Sequence, residues 1–249
     1  MAISLQNLHR ILFIDIETST IVSDYDELDG ALQHHWNQRY LRYRSFPQAD
    51  LDANKTAQDY FNNKAAIYAE YAKVICISIG YIRGEYPEHE FRLRTIKGED
   101  EFELLTEFSE LLHQFYYDRY NHYICGHNIR EFDIPFLCRR MIINQMRLPN
   151  LLNIMGAKTW ETSHLIDTLD LWKFGDYKYY TSLDLLCQVL GVASPKDSIS
   201  GKDVSRLYWS GKLDDIAAYC ERDVRATMEV YLKCVNSGLR KDQSALEEE

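Results

Sequence analysis

The sequence has no apolar run long enough to cross a membrane. A transmembrane helix needs roughly 18–20 consecutive apolar residues, and no stretch of the 249 residues reaches that length. Residues 1–10 also lack the cationic start and apolar core of a secretory signal peptide. These two absences predict a cytoplasmic protein that makes no contact with a membrane.

Paired cysteines are absent as well. The chain has six cysteines, none of them in a Cys-x-x-Cys motif, and they lie far apart: Cys76, Cys125, Cys138, Cys187, Cys220 and Cys234. Most have apolar neighbours in the sequence, which is typical of buried free thiols in a reducing compartment rather than of disulfides or a zinc site. No cluster of histidine and cysteine competes with the acidic residues as a metal site.

Positive charge is in short supply. The chain has 28 lysines and arginines against 38 aspartates and glutamates, a formal net charge of −10. A protein that coats duplex DNA presents a broad basic surface, so this class is disfavoured. An enzyme that holds only a few nucleotides of one strand end remains compatible with the composition, because bound metal ions neutralise part of the negative charge.

The chain has neither internal repeats nor low-complexity segments. With 46% hydrophobic residues, a chain of this length can bury one substantial core. We therefore predict a single domain over residues 1–249, with an insertion at about 21–72 and a flexible tail at about 240–249.

Apolar periodicity predicts an α/β protein. Strands are predicted at 10–16, 74–82, 89–96, 123–126 and 165–171, and helices at 100–115, 136–146, 182–190 and 213–235. A turn at 83–87 joins the second strand to the third. This order of elements is typical of a mixed sheet flanked by helices.

The insertion is the segment with the least regular pattern. It opens with acidic residues and continues into a basic, aromatic stretch that contains Trp36, Arg39, Tyr40, Arg42, Tyr43 and Arg44. One interpretation is a surface helix that packs its aromatic rings onto the body of the protein. The other is a substrate grip, because arginines with interleaved aromatics can track phosphates and stack bases of a single strand.

Four acidic residues stand in three separate motifs. The first motif is Ile-Leu-Phe-Ile-Asp-Ile-Glu-Thr, which contains Asp15 and Glu17 at the predicted end of the first strand. Residues two apart on a strand point to the same side, and carboxylates next to an apolar strand need a compensating charge. The pattern fits a shared metal site, and it also fits an ordinary strand end.

The second motif is Gly-His-Asn-Ile-Arg-Glu-Phe-Asp, followed by Ile-Pro. Asp133 is a candidate metal ligand, and Asn128 and Phe132 are candidates for contacts with the substrate backbone and terminal base. Proline is tolerated in the first turn of a helix, so Asp133 is equally a candidate helix cap.

The third motif is Tyr-Cys-Glu-Arg-Asp, in the last predicted helix. Tyr219 and Asp223 are four residues apart and therefore share one helix face. Asp223 is a candidate metal ligand, and the Tyr219 phenol is a candidate contact for the attacking water. The alternative is that Tyr219 belongs to the core.

Taken together, these motifs resemble those of the DEDDy branch of DnaQ-like 3′–5′ exonucleases. Asp-x-Glu, Asn-x-x-x-Phe-Asp and Tyr-x-x-x-Asp occur in the family's order, and their surroundings are similar to the proofreading domain of family-B DNA polymerases. The sister branch has histidine five residues before the last aspartate, whereas this chain has Ala218 there and Tyr219 next to it. Stand-alone bacterial proteins of this kind are known as predicted exonucleases.

The resemblance implies a ribonuclease-H-like fold and a two-metal-ion mechanism with Mg²⁺ or Mn²⁺. Asp15 is then the ligand that bridges both ions. Glu17 and Asp223 complete the site that activates the nucleophile, and Asp133 serves the ion at the leaving group. Tyr219 orients the attacking water, since an ordinary phenol with a pKa near 10 is a poor base.

The resemblance also implies the substrate. Asn128 and Phe132 hold the last nucleotide, Thr18 adds a backbone contact, and Glu17 reaches the terminal 3′-hydroxyl. The expected activity is removal of nucleoside 5′-monophosphates from the 3′ end of single-stranded DNA, beside a separate polymerase or repair partner. Two alternatives remain open: an exoribonuclease with the same site, and a module that binds nucleic acid or protein without cutting.

Overall fold

A computed structural model describes residues 5–45, 56–84, 88–176, 180–195 and 199–235. Its strands are β1 Ile11–Thr20, β2 Ala72–Gly84, β3 His89–Lys97, β4 Tyr123–Gly126 and β5 Leu165–Asp167. They form one sheet in the order β3-β2-β1-β4-β5. The β1–β2 and β2–β3 pairs are antiparallel, and the β1–β4 and β4–β5 pairs are parallel. The predicted mixed five-stranded α/β sheet is confirmed, and it is consistent with a ribonuclease-H-like exonuclease fold.

Helices cover both faces of this sheet. Their bounds are α1 Gly30–Arg44, α2 Ala57–Lys64, α3 Glu101–Phe115, α4 Asp133–Ile143, α5 Thr168–Lys173, α6 Leu183–Leu190, α7 Val204–Trp209 and α8 Leu213–Val235. The residues of β1 alternate between two cores. Leu12, Ile14 and Ile16 belong to the core that includes α3 and α4, whereas Ile11 and Phe13 pack with α8. Side chains at positions 15 and 17 therefore project toward the α8 side.

The first strand is longer than its apolar run predicted. It continues to Thr20 because β2 pairs with it as far as the Thr20–Ala72 partners, with a register irregularity between Glu17 and Thr18. Asp15 and Glu17 thus lie inside the strand, and the prediction that they end it was wrong. On the other edge, β4 pairs with residues 11–13, so within the described part of the chain this edge of β1 has no strand partner beside the two acids.

The fifth strand is shorter than predicted. It ends at Asp167, and α5 begins at Thr168, so the predicted strand over 165–171 was wrong in its second half. The cause is the Asp167 side chain, which accepts a hydrogen bond from the Leu169 N–H at 3.0 Å and caps the helix. The helix α4 also starts earlier than predicted, because Pro135 fits in its first turn.

Residues 21–72 contain more regular structure than the sequence pattern indicated. Trp36 on α1 is fully buried against Phe61, Tyr68 and Tyr71, and its indole N–H donates to the Ala57 carbonyl at 2.9 Å. This supports the packing interpretation of the aromatics, although they pack mainly within the insertion's own cluster. Residues 46–55, the end of the predicted 83–87 turn and the predicted 240–249 tail lie outside the described residues.

All six cysteines are free, as predicted. Across the described ranges, no helix combines the length and apolarity that spanning a bilayer requires.

Candidate active site

Asp15 and Glu17 project from β1 toward α8 and meet a cysteine there. One ligand atom each of Asp15, Glu17 and Cys220 lies within 4.8 Å of the others. The Cys220 thiol donates to Asp15 Oδ2 at 3.3 Å and is 3.4 Å from the Asp15 carbonyl oxygen. Glu17 is buried, whereas Asp15 retains partial exposure, so the site opens toward solvent at Asp15.

Asp133 reaches the same place from α4. Its Oδ1 accepts a hydrogen bond from the Ile16 backbone N–H at 3.2 Å, on the stretch of β1 that β4 leaves without a partner. The capping position of α4 is occupied by Phe132, which makes no side-chain cap. The Asp133 carboxylate therefore bridges its helix to the middle of β1, and helix capping alone does not account for it.

The third motif supplies Tyr219 and Asp223 from α8. Both side chains are buried, and the Tyr219 hydroxyl hydrogen-bonds the Asp223 carboxylate. Tyr219 also packs among apolar residues such as Ile75 and Ile216. The ring of Tyr219 therefore belongs to the core, and its hydroxyl faces the acidic site; its contact with an attacking water stays a prediction.

Burial, and after it the charges of neighbouring acids, disfavours the charged forms of Asp15, Glu17 and Asp133. Burial, followed by the charges of Asp223, Asp133 and Glu17, holds the pKa of Asp15 well above its usual range. Burial and the charge of Asp223 do the same to the pKa of Glu17. Burial is also the main cause that raises the pKa of Asp133 to about 7, with a smaller contribution from Asp223. Every pair among the four acids interacts, so the carboxylates of all three motifs converge.

This arrangement fits divalent metal ions. Within the described part of the chain, Asp15, Glu17 and Asp133 form no ion pair with lysine or arginine. Buried carboxylates without a compensating charge are costly, and hard cations such as Mg²⁺ and Mn²⁺ prefer oxygen ligands. Cations held by these residues would remove the mutual repulsion that the pKa shifts report.

The residues predicted to hold substrate differ in whether their side chains already have partners within the protein. The Asn128 backbone has a positive φ of 64°, and among the described residues its buried Oδ1 has no hydrogen-bond partner. Phe132 is half-buried and packs on Phe136 with ring centroids 5.5 Å apart. The Thr18 hydroxyl donates to the Ala66 carbonyl at 2.7 Å, so this side chain anchors the insertion.

Asp167 is a residue that the sequence analysis missed. Its carboxylate accepts hydrogen bonds from the backbone N–H groups of Asn128 at 2.8 Å and Arg130 at 3.1 Å, besides capping α5. It therefore fixes the loop that carries Asn128 and leads to Asp133. In the sequence, Asp167 directly follows the apolar pair Leu165-Ile166, as Asp15 follows an apolar run in the first motif. This pattern could have indicated Asp167, but the predicted strand continued to residue 171.

Cys220 was also missed. It stands beside Tyr219 in the third motif, yet nothing in the linear pattern indicates that its thiol contacts Asp15. That contact arises only because α8 packs across β1 and β2.

The family comparison agrees with this geometry. Residues 64–249 match the family described as "Predicted 3'-5' exonuclease related to the exonuclease domain of PolB", and the chain belongs to this family. The matched residues include the second and third motifs, while Asp15 and Glu17 precede them. The predicted resemblance to polymerase-B exonuclease domains is thereby confirmed.

One similar protein extends the comparison to a virus. The chain is 26% identical to the "Putative DNA polymerase 060R" of Frog virus 3 (isolate Goorha), over 44% of this chain and 13% of that protein. The chain thus corresponds to a small part of the viral relative.

Proposed function

We propose that this protein is a DEDDy-type 3′–5′ exonuclease that removes nucleoside 5′-monophosphates from the 3′ end of single-stranded DNA with two divalent ions. The observation that carries the proposal is the convergence of Asp15, Glu17, Asp133 and Asp223, from all three motifs. Among the described residues, no lysine or arginine forms an ion pair with Asp15, Glu17 or Asp133. Membership of a family of predicted 3′–5′ exonucleases supports the reaction class.

The acids have distinct roles in this proposal. The charges of Asp223, Asp133 and Glu17 all act on Asp15, and we assign to it the role that the resemblance implies, in which it would bridge both ions. Glu17 and Asp223 would complete the site of the ion near the nucleophile, and Asp133 would hold the ion near the leaving 3′-oxygen. Divalent ions held by these residues would neutralise the developing negative charge and favour ionisation of the attacking water.

Tyr219 orients the attacking water in this scheme. Burial and the neighbouring acids, Asp223 first, raise the pKa of its phenol far above the ordinary value of 10.0. A phenol that stays protonated donates and accepts hydrogen bonds but removes no proton. Tyr219 therefore positions water without serving as the general base.

The strand end is held by the second motif. The buried Asn128 Oδ1 offers an acceptor that has no partner among the described residues, and the half-buried Phe132 ring offers a face for the last base. Glu17 reaches the terminal 3′-hydroxyl and selects a free end, and the Thr18 backbone adds a further contact. We propose a single domain and a separate polymerase or repair protein as its partner.

The test is an oligonucleotide assay with two labels. Single-stranded DNA carrying a 5′ label should shorten one nucleotide at a time, and the same strand with a 3′ label should release its label at once as a mononucleotide. Both outcomes should require Mg²⁺ or Mn²⁺ and stop in excess chelator. A ladder that starts from the 5′ end, or undiminished cleavage in chelator, contradicts the proposal.

Two further arms separate the alternatives. A matched RNA strand tests the sugar preference, and faster hydrolysis of RNA than of DNA would make the chain an exoribonuclease. Asp223→Asn is the control for contaminating nuclease, because it removes a ligand charge and keeps the side-chain volume. If neither strand is cut by the folded, metal-loaded protein, the exonuclease proposal fails, and retained binding of the strand would favour the non-catalytic module.

A further inference from the structure

A groove on the α3 side of the sheet lies apart from the carboxylate centre. It is lined by Leu12 of β1, Ile79 of β2 and the end of α3. Both strand residues belong to the core on the α3 side, whereas Asp15 and Glu17 project from the opposite face of the sheet toward α8. The groove has a volume of about 670 Å³, within the roughly 300–1,000 Å³ of small-molecule sites. It is therefore large enough to be a binding site of its own.

The charged lining of this groove favours anions. Among the described residues that line it, none is an aspartate or glutamate, and the cationic and imidazole side chains are Arg10, Arg92, Arg94, His9 and His122. They gather in a chain whose formal net charge is −10. Arg92 and Arg94 form exposed ion pairs with Glu90 and Glu107. Exposed pairs of this kind contribute little free energy, so an anionic ligand can displace them.

Arg10 is the cation in this groove that lacks a counter-charge. Its side chain is half-buried at the end of the 3-10 helix Leu5–Arg10. No described residue forms an ion pair, a hydrogen bond or a ring contact with its guanidinium group. A partly buried charge without a partner is costly, and a guanidinium group binds a phosphate through two parallel hydrogen bonds. Arg10 is therefore available to an anionic ligand.

Two further hydrogen-bond donors of the groove also lack a partner. Burial lowers the pKa of His122, and its Nδ1 accepts the Asp118 backbone N–H at 3.3 Å, so the ring proton lies on Nε2. Burial raises the pKa of Tyr116 to about 12, so its phenol stays protonated. Neither the His122 Nε2 nor the Tyr116 hydroxyl has a hydrogen-bond partner in the described ranges. The groove thus presents donors that the protein itself does not use.

The remaining lining is apolar and aromatic. The Phe115 and Tyr81 side chains are 58% and 41% exposed, and Leu12, Ile79 and Leu111 supply aliphatic surface. Aromatic side chains stack on nucleobases with little regard to base identity. A phosphate monoester carries about −1.5 to −2 charges at pH 7, which matches several cations better than a single carboxylate does. A planar base with a phosphate therefore suits both halves of the groove.

We propose that this groove binds a nucleotide, with its phosphate at Arg10 and His122 and its base against Phe115. The nucleotide is a free nucleoside 5′-monophosphate or one unit of a single strand, because both present a base and a phosphate. This site goes beyond the proposed function, and binding at it requires no cleavage.

The test measures binding to the intact protein by isothermal titration calorimetry in chelator, which keeps divalent ions out of the carboxylate centre. The probes are dAMP, deoxyadenosine, inorganic phosphate and a short single strand with a blocked 3′ end. Because dAMP uses both halves of the groove, it should bind about tenfold or more tightly than deoxyadenosine or phosphate. A strand that binds at least as tightly as dAMP assigns the groove to strand nucleotides, and a weaker strand assigns it to the free nucleotide.

Two pairs of variants locate the bound nucleotide. Arg10→Gln should weaken dAMP binding by about tenfold or more. Arg139→Gln removes an exposed arginine of α4 outside the groove and should leave binding unchanged. Phe115→Ala should weaken dAMP binding by about fivefold or more through lost stacking. Phe102→Ala is its control, because Phe102 is 53% exposed on the same helix and lies outside the groove.

Three results would overturn the proposal. They are undetectable binding of dAMP, dAMP binding that neither Arg10→Gln nor Phe115→Ala weakens, and displacement of dAMP by an acidic peptide that binds more tightly, which would assign the groove to a protein partner. Failure of this site and failure of the proposed function are distinguishable. Binding in the groove without strand cleavage refutes only the exonuclease, and cleavage without binding in the groove refutes only the nucleotide site.

Discussion

The Asp133 carboxylate accepts a hydrogen bond from the backbone N–H of Ile16, 117 residues earlier in the chain, at 3.2 Å. In the described ranges β4 pairs with β1 only through residue 13, so no described strand pairs with the Ile16 N–H on this edge, and the Asp133 carboxylate accepts its hydrogen bond. One oxygen of Asp133 thus completes the backbone of β1, and the carboxylate is held next to the strand that carries Asp15 and Glu17.

Because Asp133 is both a candidate metal ligand and the acceptor for the Ile16 N–H, two substitutions at position 133 should differ in stability. Asp133→Asn keeps an acceptor for the Ile16 N–H and removes a charge from a crowded cluster, so the metal-free protein should be at least as stable as the wild type. Asp133→Ala leaves a buried N–H without its acceptor, which costs about 1–3 kcal/mol. Both variants should lose metal-dependent cleavage. Denaturant unfolding in chelator is the measurement, and equal stabilities of the two variants would contradict the structural role of the bond.

Asp15→Asn should lose catalytic activity and, without metal ions, should be more stable than the wild type. Loss of the bridging ligand should lower kcat by roughly 10³-fold or more. In chelator at pH 8 the variant should unfold at a higher temperature than the wild type, because the charge of Asp223 and the other acids no longer opposes a charge at position 15.

The pH dependence of this difference has a fixed sign. The folded-state pKa of Asp15 lies above its ordinary value of 3.8, so the contribution of this group to stability is present below pH 3.8 and is lost as the pH rises through the folded-state pKa. The stability advantage of Asp15→Asn should therefore shrink toward zero at pH 4 and grow toward pH 8. Thermal melts across this range check it, and an advantage that is largest in acid would count against the electrostatic explanation.

Tyr219→Phe should be much milder than Asp15→Asn. The change removes a hydroxyl that contacts Asp223 and the attacking water, but no ligand and no base. A general acid or base contributes at least roughly 10²-fold to the rate, and we expect the fall in kcat to be smaller than that. The affinity for the metal ions should be retained. Tyr231→Phe is the matched control, because Tyr231 is buried on the same helix against Phe13. A loss as large as that of Asp15→Asn would assign Tyr219 a different role.

Asp167 should act as a positioning residue for the second motif. Asp167→Ala removes the acceptor of three backbone N–H groups, so it should destabilise the protein by about 1–3 kcal/mol or more and raise KM for the strand end by displacing Asn128. Asp167→Asn retains one acceptor oxygen, so its stability and its KM should lie between those of the wild type and those of Asp167→Ala. Asp170→Ala, which loses two ion pairs on an exposed carboxylate, with Arg130 at 3.4 Å and with Lys173 at 3.9 Å, should change little. An unchanged KM in Asp167→Ala would show that the loop holds its place without this carboxylate.

The sequence predicted the acidic motifs because each one is local. Asp15 and Glu17 follow an apolar run, Asp133 precedes a proline in a helix start, and Asp223 follows Tyr219 by four residues. Each pattern is readable within a window of about ten residues, and the order of predicted elements was sufficient for the mixed sheet. For each motif the sequence also allowed a purely structural role, namely a strand end, a helix cap or a core tyrosine. Only the three-dimensional contacts of these residues distinguish the structural role from the functional one.

What the sequence did not predict depends on contacts between distant elements. Three such contacts join residues that are 39 or more positions apart in the chain. They are the hydrogen bond from Ile16 to Asp133, the contact between Cys220 and Asp15, and the hydrogen bond from the Asn128 N–H to Asp167. The ends of β1 and β5 were misjudged for a similar reason. Pairing with β2 lengthened β1 beyond its apolar run, and capping by Asp167 turned an apolar segment into helix.

The most direct measurement of the central claim is the position of Mn²⁺ in crystals soaked with that ion, located by its anomalous scattering. Manganese should lie in contact with Asp15, with Glu17, Asp133 and Asp223 supplying its further protein ligands, and the signal should vanish in Asp15→Asn. Manganese bound elsewhere, or an Asp15→Asn variant that keeps the ion at this centre, would contradict the account.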